Sequence, residues 1–165
     1  MRLIFDLETD NLLPEVTVIH SLSIRNAETG ELLMSCADQP GYAPIALGIR
    51  MLNEADQIIG HNIVDYDKPV LRKLRTDWVE RPCLDTLLCV RLMFADVAEE
   101  DYRRVNFPGK LIGSHSLKAW GYRLGVLKGT FGEQDDWSRW TPEMQRYCDQ
   151  DTLVTFRLLQ LIERQ

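Results

Sequence analysis

Arg2 to Leu7 is a short apolar run that ends in carboxylates, the pattern of a buried strand. Val16 to Arg25 alternates in part and opens on β-branched residues, which predicts a second strand. Glu28-Thr29-Gly30 reads as a turn into a third strand over Glu31 to Cys36, so the two strands form a hairpin. Tyr42 to Asn53 carries Ile45, Leu47, Ile49 and Leu52 in helical style, and Gln57 to His61 reads as a fourth, buried strand. A short helix follows over Asp67 to Leu74, with Pro69 tolerated in its first turn. Cys83-Leu84 is a short strand, and Asp85 caps a helix that runs to about Phe94. Ala95 to Ser114 contains Pro108-Gly109 and reads as a long loop. Ser114 or Ser116 opens the next helix, which ends near Leu124 at Gly125. Thr141-Pro142-Glu143 starts the last helix, expected to reach about Ile162. Strands followed by alternating helices and strands predict the α/β class, and the hairpin makes the sheet mixed.

The chain has 165 residues, which predicts one domain over 1–165. With 45% hydrophobic and 27% charged residues, it cannot be a wholly disordered, collagen-like or disulfide-scaffold chain. A formal charge of −6 excludes a bulk-basic nucleic-acid binder but leaves room for a basic face. Such a face has a candidate. Tyr102 to Gly132 has no Asp or Glu and carries Arg103, Arg104, Lys110, Lys118, Arg123 and Lys128. Those 31 residues hold +6, so a polyanion could be gripped here while the rest of the chain stays acidic. The apolar runs are far shorter than the roughly 20 residues that span a bilayer, so no membrane partner is expected. Asp6 interrupts the N-terminal run too early for a signal peptide. Cys36, Cys83, Cys89 and Cys148 are scattered, which predicts free thiols in a reducing cytoplasm.

Three clusters of carboxylates carry candidate chemistry. Asp6 and Glu8 are two apart in a strand and so project to one face, a placement that suits hard divalent cations. Asn62-Ile63-Val64-Asp65-Tyr66-Asp67 follows a strand and opens a helix, where sites collect in open α/β sheets. A polar turn capped by Asp65 or Asp67 would explain the same residues. Tyr147 and Asp151 share a helix face, while Asp149 points elsewhere and is expected to be solvated.

Together these clusters resemble the DEDD exonuclease superfamily in its tyrosine-bearing branch. Asp6 and Glu8 match its Asp-x-Glu motif. Asn62, Tyr66 and Asp67 match Asn-x-x-x-(Phe/Tyr)-Asp, and Tyr147 and Asp151 match Tyr-x-x-x-Asp. Residues 83–87 and 109–125 also look like the proofreading domain of phage-type family-A DNA polymerases. The polymerase domain that follows in such proteins has no counterpart in these residues, which leaves a free exonuclease, a polymerase subunit or a cut piece.

The resemblance implies a ribonuclease-H-like fold with a mixed five-stranded sheet flanked by helices. It also implies 3′-5′ exonuclease activity on DNA, releasing nucleoside monophosphates and serving in proofreading. The expected cofactors are two divalent ions, Mg²⁺ or Mn²⁺, about 4 Å apart, held by Asp6, Glu8, Asp67 and Asp151. Tyr147 would position the attacking water, since a phenol with an ordinary pKa of about 10 is a poor base. Leu12 is the expected wedge at the terminal bases, with Leu13 as the neighbour that could serve instead. Asn62, Lys110 and Arg123 are the further expected substrate contacts. His61 and Asp85 are read as structural, His115 as a phosphate contact or equally a capping or packing residue, and Trp78, Trp120, Trp137 and Trp140 as core or base-stacking residues. The expected partners are single-stranded DNA or a frayed 3′ end and a separate polymerase subunit, in a bacterial or phage-infected cytoplasm. The competing readings are the same chemistry on RNA and a catalytically idle module that docks on a polymerase or on DNA.

Overall fold

Arg2–Thr9 forms the central strand, β1, in a computed structural model that describes residues 1–126 and 136–165. Around it lie β2 (Ile19–Asn26), β3 (Leu32–Cys36), β4 (Gln57–Gly60) and β5 (Cys83–Asp85). The sheet order is β3-β2-β1-β4-β5. β2 pairs antiparallel with β1 and β3 antiparallel with β2, whereas β4 pairs parallel with β1 and β5 parallel with β4. Six helices among the described residues complete the α/β fold: α1 (Ile45–Asn53), α2 (Asp67–Leu74), α3 (Thr86–Met93), α4 (Val97–Asp101), α5 (Leu117–Leu124) and α6 (Pro142–Ile162).

Alternation along β1 divides its side chains between two layers. Leu3, Phe5 and Leu7 join Ile45, Ile49 and Leu52 of α1 in one core cluster. Ile4 points the other way, to Ile59 and to Phe156 and Leu159 of α6. Asp6 and Glu8 therefore continue the α6 face. There they pair in register with Ser23 and Ser21 of β2. The strip under α6 is thus polar at one end and apolar at the other. Arg25 is buried on that strip and donates from Nη2 to the Asp149 carbonyl at 3.2 Å and from Nη1 to the Gly30 carbonyl at 2.6 Å. The far side of α6 packs on α3 and α5 through Val90, Leu117, Trp120, Val154 and Leu158.

The ends of the elements follow their caps. Asp85, Ser116 and Thr141 each accept a backbone N–H at the start of α3, α5 and α6. Gly30 closes the β2–β3 turn at φ +75°, and a Cβ there would lie 2.4 Å from the Phe156 ring. The other boundaries differ from the sequence reading for local reasons. β2 starts at Ile19 rather than Val16 because Asp10 Oδ1 takes the N–H groups of Thr17 and Val18. α1 starts at Ile45 rather than Tyr42, since Pro44 is extended at φ −61°, ψ 143° and Ala43 precedes it. The expected loop from Ala95 to Ser114 holds α4 and a 3₁₀ turn over Gly109–Leu111. None of the described helices is long and apolar enough to cross a membrane. All four cysteines are free.

Candidate active site

β1, α2 and α6 converge on one cavity of about 230 Å³. Its lining includes Asp6 and Glu8 from β1, Asp67 from α2, and Tyr147 and Asp151 from α6. Leu7, His61, Asn62, Tyr66 and Trp137 complete the described wall, which holds no Lys or Arg among the described residues. Four carboxylates around one space repel one another unless cations bind among them. Donor atoms of Asp6, Glu8 and Cys148 lie within 4.8 Å of one another, close enough for one ion. The carboxylate oxygens suit a hard divalent cation. Cys148 entered no metal reading of the sequence. It is buried beneath the carboxylates, donates its S–H to the Asp6 carbonyl at 3.4 Å, and its thiol is pushed well above the usual range by burial and then by four nearby carboxylates.

Asp67, which α2 contributes to the cluster, is buried. Its Oδ1 accepts the Leu7 N–H at 3.2 Å, which ties α2 to β1. Burial raises its pKa to about 7, against the lowering effect of its backbone hydrogen bonds, and Asp85 adds to the rise. Neither Asp65 nor Asp67 caps α2, which starts at Asp67 after Tyr66 without a side-chain cap. Tyr66 instead donates to the Asn11 carbonyl at 2.7 Å and meets the Thr9 hydroxyl.

The turn before α2 is held by Asp85. Besides capping α3, its carboxylate accepts the N–H groups of Asn62 at 2.9 Å and Val64 at 3.0 Å. Asn62 sits at φ +68°, a left-handed conformation that asparagine tolerates better than most residues. The sequence reading gives Asp85 a cap and a part in sheet and loop geometry. Nothing short of the fold places its two extra donors across from it. His61 bonds Thr86 Oγ1 at 2.9 Å and the His115 carbonyl at 3.0 Å, in keeping with a structural role, and also lines the cavity.

A second, more apolar cavity of about 380 Å³ adjoins the first, lined by Glu8, Leu12, Tyr66 and Trp137 among others. Leu12 is 71% exposed at its edge, whereas Leu13 packs on the α1-side core. Trp137 lines both cavities and meets the Tyr147 ring edge-on at 6.5 Å. Nothing in the sequence separates it from the other three tryptophans.

Two expectations are corrected. Arg123 does not face a substrate: it is buried in α5, and its Nε and Nη2 donate to Asp101 Oδ1 and Oδ2 at 2.9 and 2.7 Å. Charge counting missed this because Asp101 lies one residue before the acid-free stretch. Asp149 is not solvated. It accepts the Ser35 hydroxyl at 2.8 Å, and burial raises its pKa. Lys110 is exposed in the 3₁₀ turn, outside the lining of both cavities. Lys128 lies outside the described residues.

The chain is 32% identical over 189 residues to the DNA-directed DNA polymerase of Enterobacteria phage T3, an alignment that covers 96% of the chain. The chain is also 32% identical over 183 residues to the DNA-directed DNA polymerase of Escherichia phage T7. It spans 26% of the length of each polymerase. No protein-family model matches it. In fold the chain is similar to Brucella melitensis NrnC, with a TM-score of 0.67 at 18% identity over 99% of the chain and 72% of NrnC. NrnC has also been solved with bound Mg²⁺.

Proposed function

We propose that the chain is a metal-dependent 3′-5′ exodeoxyribonuclease that releases nucleoside monophosphates from the 3′ end of single-stranded or frayed DNA. The observation that carries this reading is the convergence of Asp6, Glu8, Asp67, Asp151 and Tyr147 on one cavity that no described lysine or arginine lines. Likeness to two DNA polymerases supports DNA as substrate and a proofreading role beside a polymerase.

In this reading Asp6, Glu8, Asp67 and Asp151 hold two divalent ions, Mg²⁺ or Mn²⁺. Bound there, such ions lower the pKa of a water and offset charge on the leaving 3′ oxygen. The Tyr147 hydroxyl orients the attacking water by a hydrogen bond. Water adds its oxygen to phosphorus, and the strand leaves with a 3′ hydroxyl. Leu12, Tyr66 and Trp137 take the terminal base in the apolar cavity, where stacking tolerates every base. Asn62, held by Asp85, meets the substrate at the junction with the carboxylates.

The test is hydrolysis of 5′-labelled single-stranded DNA and matched RNA, with Mg²⁺ and with chelator. The expected result is a chelator-sensitive ladder that shortens from the 3′ end, with DNA cut faster. A faster RNA ladder would reassign the substrate. Binding of the strand without cleavage would make the chain a docking module.

A further inference from the structure

Beside the carboxylate cavity lies a third one of about 590 Å³, and the two share His61 and Asn62. Their linings are opposite in character. Among the described residues the third cavity has no Asp or Glu in its wall, and it carries Arg91, Ser114, His115 and Ser116. Arg91 is exposed on the last turn of α3 and makes no hydrogen bond or ion pair with a described residue. The Ser116 hydroxyl accepts from Ala119 N at 3.3 Å and from Ser114 Oγ at 3.1 Å, which leaves its own proton to donate. Ser116 also caps α5, so the positive end of that helix opens into the same wall. A guanidinium without a described partner, a hydroxyl donor and a helix N-terminus, beside the Asp85 and Asp101 carboxylates that are taken up by the backbone N–H groups of Asn62 and Gly113, make the donor set that recognises an oxyanion.

We infer that this cavity is a phosphate subsite, in which Arg91 and Ser116 hold the phosphate next upstream of the scissile one. The inference rests on the exonuclease reading and deepens it. A strand laid across the two cavities meets cations bound to carboxylates at one phosphate and Arg91 at the next. The grip expected from Arg123 thereby passes to a residue outside the acid-free stretch.

The test compares Arg91→Ala with wild type and with Arg50→Ala, a control on the exposed side of α1 across the sheet. KM and kcat on a 5′-labelled single-stranded DNA are measured with Mg²⁺ over a range of KCl. Binding is measured separately by anisotropy in chelator. Arg91→Ala should raise KM about tenfold, the worth of one charge-assisted hydrogen bond, and leave kcat unchanged. It should also flatten the dependence of log KM on log salt by about 0.7, the value for one contact to a single strand. Dinucleotides with a 5′-phosphate and a 5′-hydroxyl then separate the two sources of the phosphate. If Arg91→Ala erases a preference for the phosphorylated form, the subsite takes terminal phosphates. If only the longer strand is affected, it takes internal ones. Unchanged KM, salt slope and chelator binding in Arg91→Ala would overturn the inference while leaving the exonuclease intact. A wild type that hydrolyses nothing would contradict the exonuclease reading instead, and the chelator binding data would then decide the subsite alone.

Discussion

Replacing Arg123 by alanine should destabilise the fold and not weaken substrate binding directly. The Arg123 and Asp101 side chains are 2% and 0% exposed, and they meet through two hydrogen bonds of 2.9 and 2.7 Å. Gly113 N adds a third bond to the Asp101 carboxylate at 2.9 Å, and the guanidinium lies 4.7 Å from the Trp120 ring centroid. Alanine would strand a buried carboxylate with one remaining donor, a loss of about 3–5 kcal/mol. That is a large part of the roughly 5–15 kcal/mol that holds a domain folded. At about 2–4 °C per kcal/mol for a chain of this length, Tm should fall by about 6–20 °C. The Asp101→Leu/Arg123→Met double variant removes both charges and should recover most of the loss. Burial alone would raise the pKa of Asp101, but its bonds to Arg123 and Gly113 hold it below the usual carboxylate range. The pair therefore contributes fully above the unfolded value of about 3.9 and fades as pH falls through the lower folded value. Urea unfolding gives the stabilities, and strand binding in chelator gives the affinity. A single variant that loses less than about 1 kcal/mol, or one that keeps its stability and loses strand affinity, would refute the reasoning.

Three further outcomes follow from the site. Asp67 holds its proton more tightly folded, with a pKa of about 7, than unfolded, so its contribution to apo stability is greatest at low pH and is lost as pH rises through that value. Urea midpoints in chelator should carry this fall, Asp67→Asn should remove it, and Mg²⁺ affinity should rise over the same window; equal profiles for both proteins would contradict it. Asp85→Ala should cost about 2–4 kcal/mol in urea unfolding and lower kcat, because three backbone N–H groups lose a charged acceptor. Tyr147→Phe should lower kcat about tenfold or more while Mg²⁺ affinity by calorimetry stays unchanged, since only the orienting hydroxyl is lost.

Much of this fold was legible from its sequence because local signals agree with the tertiary structure. Asp67 to Leu74 is the helix that the pattern predicts, and Thr141-Pro142 and Ser116 cap the helices they announce. The carboxylates lie at a strand end and on helix faces, where spacing alone says which way they point. What stayed hidden depends on contacts across long sequence separations. Arg123 looks like a surface cation until Asp101 is brought against it by α4, inside a stretch that read as loop. Asp149 looks solvated until β3 supplies Ser35. Trp137 looks like any tryptophan until the chain before α6 lays it across both cavities. Arg91 was passed over because it stands alone in sequence, and only the approach of the α5 N-terminus gives it company.

The central claim is that the carboxylate cavity removes nucleotides one at a time from a 3′ end. Its most direct test follows a single-stranded DNA labelled on its 3′-terminal nucleotide, with wild type and Asp6→Ala at matched folded concentration. Wild type with Mg²⁺ should release the label as a mononucleotide from the first turnover, chelator should stop the release, and Asp6→Ala should release almost none while keeping its circular dichroism. Labelled oligonucleotides in place of mononucleotide, or release by Asp6→Ala at the wild-type rate, would contradict the account.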